Sequence, residues 1–341
     1  MKIIDRKFLN VPTPTCHAST IAFFKGKLAF AYFGGVREGA PDSTIYIGYD
    51  GEIKHTIGGN VAHWNPILFT IKDELFLSYK IGEFCDRWTT FILNITDVDN
   101  IDKSKAQIIP AGLNFCVKTK PIIDSGGLIH CGSSVETRLD WTSYEEVYKY
   151  EDGEFVFVER SKPLTISKKE IEVKGVNRFT GKEVTAWIVP QGIIQPSLWK
   201  DENGTMNAFF RSSKGLGLIY HSACESSSWG DGEWSKPAPT SYSNPNSGMD
   251  TVYLNKRLFL VYNPSKTLRK PLSIVEVKDL NETVDEIVIT ESIPYSEKTH
   301  SRELSYPYMI ANDGKLHLVY TYGRSKIEYV VIEVDDESKC V

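Results

Sequence analysis

Residues 306–320 read YPYMIANDGKLHLVY, and this stretch decides the fold. Two apolar segments flank Asp313-Gly314, a dipeptide that favours the tight turn of a β-hairpin. Alternating apolar and polar residues with aromatic and β-branched side chains are typical of strands. The stretch therefore predicts a hairpin that opens at Tyr306-Pro307 and returns through residues 316–320.

The same unit recurs five times upstream. Its openings lie at His17, Asn65-Pro66, Lys120-Pro121, Gln195-Pro196 and near Asn246, so successive copies are 48, 55, 75, 51 and 60 residues apart. Such periods suit a four-stranded propeller blade with its loops. No stretch of 12 or more residues shows a helical period, so helix should be scarce. We predict an all-β, six-bladed β-propeller that forms a single domain over residues 1–341.

The longest interval between copies contains additional sequence. Residues 167–190 carry Lys168, Lys169 and Lys174, followed by the apolar run Thr185–Val189. We interpret this segment as an inserted hairpin. Two roles remain open for this hairpin: a solvent-exposed addition to the fold, or a flap that shapes a substrate pocket.

Propeller geometry predicts where polar residues meet. The inner strands of all blades surround one channel, so the residues that open each copy should converge at one face. So should the residues that close each second strand. The predicted set of channel residues is His17, Asn65, Lys120, Gln195, Asn246 and Tyr306 at the openings, with Lys80, Glu136, Arg211, Asn263 and Arg324 at the closings.

The overall charge excludes some function classes. The net charge is −5 and the isoelectric point is near 5.9, so there is no polybasic signal for nucleic acid or anionic membranes. No run of 18 apolar residues and no signal peptide is visible, so we expect a cytoplasmic protein without a membrane span. The six cysteines form no C-x-x-C pair and the histidines show no ligand spacing, so we expect neither a metal nor a cofactor. The oligomeric state stays open.

Several segments, taken in order, resemble the sialidase-like family with BNR or Asp-box repeats, in its divergent neuraminidase-like branch. Together they cover nearly the whole chain, although the Asp-box turns themselves are eroded. The matching segments are residues 17–22, Gly34-Gly35 with Glu38-Gly39 and Asp42, 64–66, 120–121, 132–136, 195–198 with 211–212, 244–248, 263–265 with 269–272, and 306–307 with 320–321 and Arg324.

The resemblance implies a set of site residues. Sialidases hold the substrate carboxylate with three arginines and use an Asp acid/base and a Tyr nucleophile that a Glu activates. Here Arg211 matches the second arginine, Arg269 or Arg324 the third, Asp42 the acid/base and Tyr306 the nucleophile.

Two positions depart from the family pattern. His17 stands where the first arginine is expected, and Gln195 stands where the activating Glu is expected. A tyrosine hydroxyl, with an ordinary pKa of about 10, needs a base or nearby cations to act as a nucleophile. Gln195 cannot accept a proton, so Glu136 or Glu303 would have to substitute. His17 can neutralise a carboxylate only when protonated, and it can also act as a base.

The cationic residues indicate the substrate class. Arg211, Arg269, Arg324, Lys80, Lys118 and Lys120 all fall near predicted channel-facing ends of an otherwise acidic chain, which favours an acidic oligosaccharide or glycoconjugate. Asn65 and Asn246 would add hydrogen bonds to sugar hydroxyls.

Three functions remain open at this point. The first is an exo-acting glycoside hydrolase that removes a terminal acidic sugar. The second is a polysaccharide lyase that eliminates at a uronic acid, with His17 or Tyr306 as base. The third is a propeller that binds glycans without catalysis.

Overall fold

The computed structural model describes residues 1–169, 171–177, 180–224, 233–282 and 286–335. Within these ranges the secondary structure is strand, apart from one turn of 3-10 helix at Lys103–Lys105. The prediction of an all-β chain is confirmed.

Six antiparallel sheets of four strands each form the blades, as the sequence predicts. The chain begins with β1 (Lys2–Phe8). Blade one is β2 (Thr15–Phe24), β3 (Lys27–Gly35), β4 (Thr44–Tyr49) and β5 (Glu52–Ile57). Blade two is β6 (His63–Ile71), β7 (Glu74–Ile81), β8 (Thr89–Asn94) and β9 (Gln107–Ile108). Blade three is β10 (Ile122–Ile123), β11 (Leu128–Glu136), β12 (Trp141–Glu151) and β13 (Glu154–Arg160).

The second half of the chain starts with the inserted hairpin. It is formed by β14 (Ile171–Val176) and β15 (Glu183–Ile188), inside the predicted segment 167–190. Blade four is β16 (Ile193–Lys200), β17 (Met206–Ser212), β18 (Leu218–Cys224) and β19 (Ala238–Ser243). Blade five is β20 (Asp250–Leu254), β21 (Arg257–Tyr262), β22 (Leu272–Val277) and β23 (Glu286–Thr290). Blade six contains β24 (Leu304–Asn312), β25 (Lys315–Tyr322) and β26 (Lys326–Glu333).

The N-terminal strand completes blade six. β1 pairs antiparallel with β26, from Lys2 opposite Glu333 to Phe8 opposite Glu328. The last blade is therefore built from both ends of the described chain, which closes the ring of sheets without leaving β26 as an open edge. The repeat pattern did not predict this pairing.

A shared backbone bend marks the start of several inner strands. The register shifts between His17 and Thr20 in blade one, and at the corresponding points of blades two, four and six. The bent residue has positive φ in each case: Ala18, Asn65, Gln195 and Tyr306. Such bulges redirect a side chain and are frequent beside functional sites. The register corrects one expectation, because Ala18 rather than His17 is equivalent to Asn65, Gln195 and Tyr306.

The blades pack tightly around the channel. Tyr308, on the inner strand of blade six, is buried and its hydroxyl donates to the carbonyl of Leu68 in blade two at 2.9 Å. Gly132 of blade three faces Pro196 of blade four so closely that a Cβ would lie 2.3 Å from the Pro196 carbonyl oxygen. Contacts of this kind bring residues from all parts of the chain to one mouth, at the end where the inner strands begin. Among the described residues, no helix has the length and apolar character needed to cross a bilayer.

Candidate active site

Tyr306 lies at the centre of the polar group at the channel mouth. Its hydroxyl oxygen accepts hydrogen bonds from Arg211 Nη1 at 2.9 Å and from Gln195 Nε2 at 3.2 Å. These partners come from blade four and Tyr306 from blade six, so the contact exists only in the closed propeller. Because both bonds are donated to the oxygen, the phenol proton must point elsewhere. A guanidinium and an amide aimed at one oxygen stabilise negative charge that develops there.

Gln195 connects this tyrosine to a carboxylate. Its carbonyl oxygen accepts from Arg211 Nη1 at 3.0 Å, and its amide nitrogen also reaches Glu136 Oε1 at 3.3 Å. Burial raises the pKa of Glu136, with Arg211 and Gln195 opposing that shift. The side-chain amide of Gln195 therefore lies between the carboxyl group of Glu136 and the hydroxyl group of Tyr306.

Two further arginines share a carboxylate beside the mouth. Arg324 Nε lies 2.7 Å from Glu303 Oε1, and Arg269 Nη1 lies 3.6 Å from Glu303 Oε2. Arg324 also pairs with Glu38. Burial lowers the pKa of Arg269, Arg211 lowers it further and Glu303 opposes both. For Arg324 burial is the largest single influence, but Glu38 and Glu303 together outweigh it and raise its pKa.

Asn246 joins the arginines of blades four and five. Its side-chain oxygen accepts from Arg211 Nε at 2.9 Å, and its backbone carbonyl accepts from Arg269 Nη2 at 2.8 Å. Asn246 has a left-handed backbone, which Asn tolerates better than most residues. It therefore orients both guanidinium groups.

His17 packs against the reactive tyrosine. Its ring centroid is 4.2 Å from that of Tyr306, with the planes tilted by 48°. The imidazole is buried and neither ring nitrogen has a hydrogen-bond partner among the described residues. Burial, with Arg324, Arg269, Arg211 and Lys118 adding to it, holds its pKa well below the usual 6.5. His17 is therefore unprotonated at pH 7 and adds no further positive charge to that of the three arginines and Lys118.

Lys118 and Trp141 complete the surroundings of Tyr306 and Arg211. The Lys118 ammonium lies 5.7 Å from the centroid of the Tyr306 ring and donates to the Pro307 carbonyl at 2.6 Å. Burial lowers its pKa to about 8, despite the nearby Asp250. The Arg211 guanidinium lies 5.6 Å from the Trp141 ring centroid, within cation–π range.

Asp42 occupies an exposed loop at the same end of blade one. Its Oδ2 accepts the backbone N–H of Val36 at 2.9 Å. The same loop carries Glu38, and a cavity of about 260 Å³ lies beneath it, lined by His17, Glu38, His300 and Arg324 among others. The loop thus places Asp42 beside the cavity, although Asp42 is not among the residues that line it.

Three of the predicted sugar-binding residues already have bonding partners within the protein. Lys80 is fully buried and its ammonium donates to the Cys116 carbonyl at 2.7 Å. Lys120 pairs with Asp250 at 2.9 Å, and the amide of Asn65 donates to the Val117 carbonyl at 3.1 Å. The structure brings together His17, Glu136, Gln195, Arg211, Asn246, Arg269, Tyr306 and Arg324. It holds Lys80, Lys120 and Asn65 in contacts with other parts of the fold.

The sequence assigned Glu38 no role in the site, whereas it indicated Lys118 as a cation near the channel and Glu303 as a candidate base. Glu38 and Glu303 were visible as carboxylates near candidate site residues, in the segment before Asp42 and just before Tyr306. Their pairing with Arg324 depends on the contact between blades one and six, for which the sequence carries no local signal. In the described part of the chain, no three His, Cys, Asp or Glu side chains are grouped to hold a metal ion.

The fold and this group of side chains define a sialidase-like β-propeller. The family model described as a BNR repeat-like domain matches residues 26–318, so the chain belongs to that family. A search of curated proteins gave no match.

Solved structures with the same fold differ widely in sequence. A protein of unknown function from Dyadobacter fermentans is 13% identical with a TM-score of 0.69, and the alignment covers 98% of this chain and 99% of that one. Trypanosoma rangeli sialidase bound to the inhibitor DANA is 11% identical with a TM-score of 0.60, over 94% of this chain and 55% of that one. Penicillium chrysogenum α-L-arabinanase bound to arabinobiose is 11% identical with a TM-score of 0.57, over 98% and 99%. This chain therefore spans about half of the trypanosomal enzyme, and at these identities the likeness concerns the fold.

Proposed function

We propose that the protein is an exo-acting glycoside hydrolase that removes a terminal acidic sugar, with Tyr306 acting at the anomeric carbon. One observation carries the proposal: the Tyr306 hydroxyl accepts bonds from Arg211 and Gln195 within a group of cationic side chains drawn from several blades. Two of the solved structures with this fold are called a sialidase and an arabinanase, which supports a carbohydrate substrate.

The arginines would bind the sugar's acidic group. Arg211, Arg269 and Arg324 converge beside Tyr306, and a guanidinium matches a carboxylate in bidentate geometry. Glu303 lies between Arg269 and Arg324, and it holds their side chains in place before the substrate arrives. A neutral sugar offers these guanidinium groups no negative charge, so it should bind more weakly than an acidic one.

The proposed reaction has two displacements. In the first, the Tyr306 oxygen bonds to the anomeric carbon while the bond to the leaving oxygen breaks and Asp42 donates a proton to that oxygen. The phenol proton passes to His17, whose unpartnered ring packs against that of Tyr306. In the second displacement, water attacks the anomeric carbon as the bond from that carbon to the Tyr306 oxygen breaks. Asp42 accepts a proton from the water, and the Tyr306 oxygen regains its proton from His17.

A screen with fluorogenic aryl glycosides tests this proposal. We expect release of fluorophore from glycosides of a sialic-type ulosonic acid or a uronic acid, and none from a neutral arabinoside. Tyr306→Phe should lower kcat by about 1000-fold or more, because the nucleophilic oxygen is removed. The matched control is Tyr308→Phe, which loses the hydrogen bond to Leu68 but no group at the mouth. Normal turnover by Tyr306→Phe would refute the assignment.

A polysaccharide lyase is the second candidate, and two observations favour it. Gln195 occupies the position of the activating base, and His17 is neutral with both nitrogens unpartnered. In an elimination, the arginines neutralise a uronate carboxylate, His17 or Tyr306 removes the proton beside it, and the glycosidic C–O bond breaks as a C=C bond forms. Mass and absorbance of oligosaccharide products decide between the two: lyase products absorb in the ultraviolet and lack the added water of hydrolysis.

A further inference from the structure

The inserted hairpin stands clear of the propeller blades. Val184, Trp187 and Val189 are 45%, 61% and 53% exposed, and Lys174 and Glu183 are exposed as well. An exposed tryptophan is uncommon, because its large apolar surface is usually buried. A role in binding substrate would explain why this tryptophan is exposed.

Both ends of the insert are tied to the mouth of the channel. The turn at residues 137–140 directly follows Glu136, which contacts Gln195 in the site. At one end of the insert, Lys168 lies 2.8 Å from Asp140 of this turn. At the other end, Gln191 Nε2 donates to the Thr137 carbonyl at 3.2 Å. The backbone carbonyl of Gln191 accepts from the backbone N–H of Trp141 at 2.9 Å. The two ends of the hairpin therefore lie beside the turn that follows Glu136, a residue that contacts Gln195 in the site.

The insert is basic although the chain is acidic. Residues 167–190 contain five Lys or Arg and three Glu, a net charge of +2. The whole chain has 39 Lys or Arg and 44 Asp or Glu, so the remainder has 34 and 41, a net charge of −7. A basic element on an acidic body attracts anionic ligands to one place. The charged residues are Lys168, Lys169, Lys174, Arg178 and Lys182, with Glu170, Glu172 and Glu183.

One face of the hairpin combines an aromatic ring with polar groups. Thr185 and Trp187 are two residues apart on β15 and therefore share a face. Lys174 pairs opposite Thr185, and Glu172 opposite Trp187. The Lys174–Glu172 contact is 3.7 Å long and well exposed, so a ligand displaces it at little cost. An aromatic ring for stacking, with an ammonium and a hydroxyl beside it, suits a sugar ring with a negative charge.

We propose that this face binds the next sugars of an acidic glycan chain whose terminal residue is held at Tyr306, so that the natural substrate is an acidic oligo- or polysaccharide. The inference rests on the proposed function, since it extends the same site. The hairpin supplies affinity for the chain, and the channel residues carry the chemistry.

Binding to defined polymers tests the inference without turnover. The probes are polysialic acid and polygalacturonate, measured by affinity electrophoresis at low and high ionic strength. Trp187→Ala should weaken binding of one of them by about tenfold. The double variant Lys174→Gln/Lys182→Gln should weaken it mainly at low salt, because screening removes its contribution. Matched controls are Ile108→Ala on the outermost strand of blade two and Lys72→Gln in a turn at the opposite end of the channel; both should bind as wild type.

Turnover and size measurements separate the possible failures. For the hairpin variants, kcat/KM should fall about tenfold on the polymer and stay unchanged on an aryl glycoside. Unchanged polymer binding in both hairpin variants overturns the inference and leaves the proposed function standing. Hairpin-dependent binding with no turnover of any acidic glycoside supports the hairpin's role and contradicts the proposed enzyme. A Trp187→Ala variant that alters only the oligomeric state, measured by light scattering, identifies the hairpin as an interface between copies and overturns the inference.

Discussion

Two buried polar groups of the same channel differ in how completely they are paired. Asp250 accepts from Lys120, Ser197 and the backbone N–H groups of Thr251 and Met309, so both carboxylate oxygens are satisfied. At the mouth, by contrast, the His17 nitrogens have no partner among the described residues. Buried polar groups are normally hydrogen-bonded, and exceptions require an explanation. The Asp250 group holds blades together, whereas the mouth keeps hydrogen-bonding capacity for a ligand.

A second buried carboxylate behaves like Asp250. Glu146 accepts from the Ser133 and Tyr148 hydroxyls, from Arg160, and from the N–H groups of Asn114 and Phe115. Its bonds join blade three to the loop that follows blade two. Complete pairing is therefore common to these two buried carboxylates, and the unpartnered ring of His17 differs from them.

The largest effect is expected from Arg211→Ala. It removes the donor to Tyr306, Gln195 and Asn246 together, so kcat/KM on an acidic glycoside should fall by about 1000-fold or more. Because Arg211 is buried and bonds to Tyr306 of blade six, the melting temperature is measured beside kcat/KM, so that a loss of folded protein is separated from a loss of activity. The matched control is Arg6→Ala, which breaks the pair with Glu328 on blade six and should lower stability but not kcat/KM. Equal losses of activity in both variants would contradict the distinction between a functional group at the mouth and structural pairs elsewhere in the blades.

Asp250→Asn should lower stability and leave activity nearly unchanged, in contrast to Arg211→Ala. It leaves the Lys120 ammonium without its carboxylate, and breaking a buried ion pair typically costs about 3–5 kcal/mol. The free energy of unfolding from urea titration measures this loss, and kcat of the protein that remains folded should be nearly unchanged. A loss below about 1 kcal/mol would show that the Asp250 group is not structural.

A smaller effect is expected from His17→Gln on the pH dependence of stability. Since the pKa of native His17 is far below 6.5, native His17 stays unprotonated where the unfolded chain takes up a proton. Below about pH 6.5 this difference destabilises the fold by about 1.4 kcal/mol per pH unit for one group. The variant should show a shallower decline in unfolding free energy between pH 6.5 and 5, with parallel curves above pH 7.5. Identical slopes throughout would mean that native His17 takes up the proton.

The smallest effect is expected from Lys80→Met. The buried ammonium of Lys80, whose pKa burial lowers to about 8, donates to the Cys116 carbonyl and contacts no group at the mouth. Methionine keeps most of the side-chain volume, so kcat/KM should stay within about twofold of wild type. A tenfold loss would extend the site to blade two and restore the sugar-binding role that the sequence pattern assigned to Lys80.

Features that depend on residues close together in the sequence could be predicted, whereas features that depend on contacts between distant residues were predicted less completely. Hairpins such as 306–320 depend on turn chemistry and alternation within some fifteen residues, so all six were predictable. Tyr306, Arg211 and Gln195 were predicted to meet because propeller closure brings equivalent strand ends together, and they do. His17 was placed one position out of register, because the equivalent position in blade one is Ala18, which has no polar side chain to mark it.

The sequence by itself determined the number of blades and the inserted hairpin, since these depend on short-range periodicity and turn residues. It indicated many of the residues at the mouth through the expected closure of the propeller and through the family resemblance. Only the tertiary structure decided which charges are paired. Lys120 and Asp250 are 130 residues apart, and Arg324 and Glu38 are 286 apart. Whether a cation is neutralised within the fold or left for a ligand depends on distances of a few ångströms between blades, and closure of the ring sets those distances.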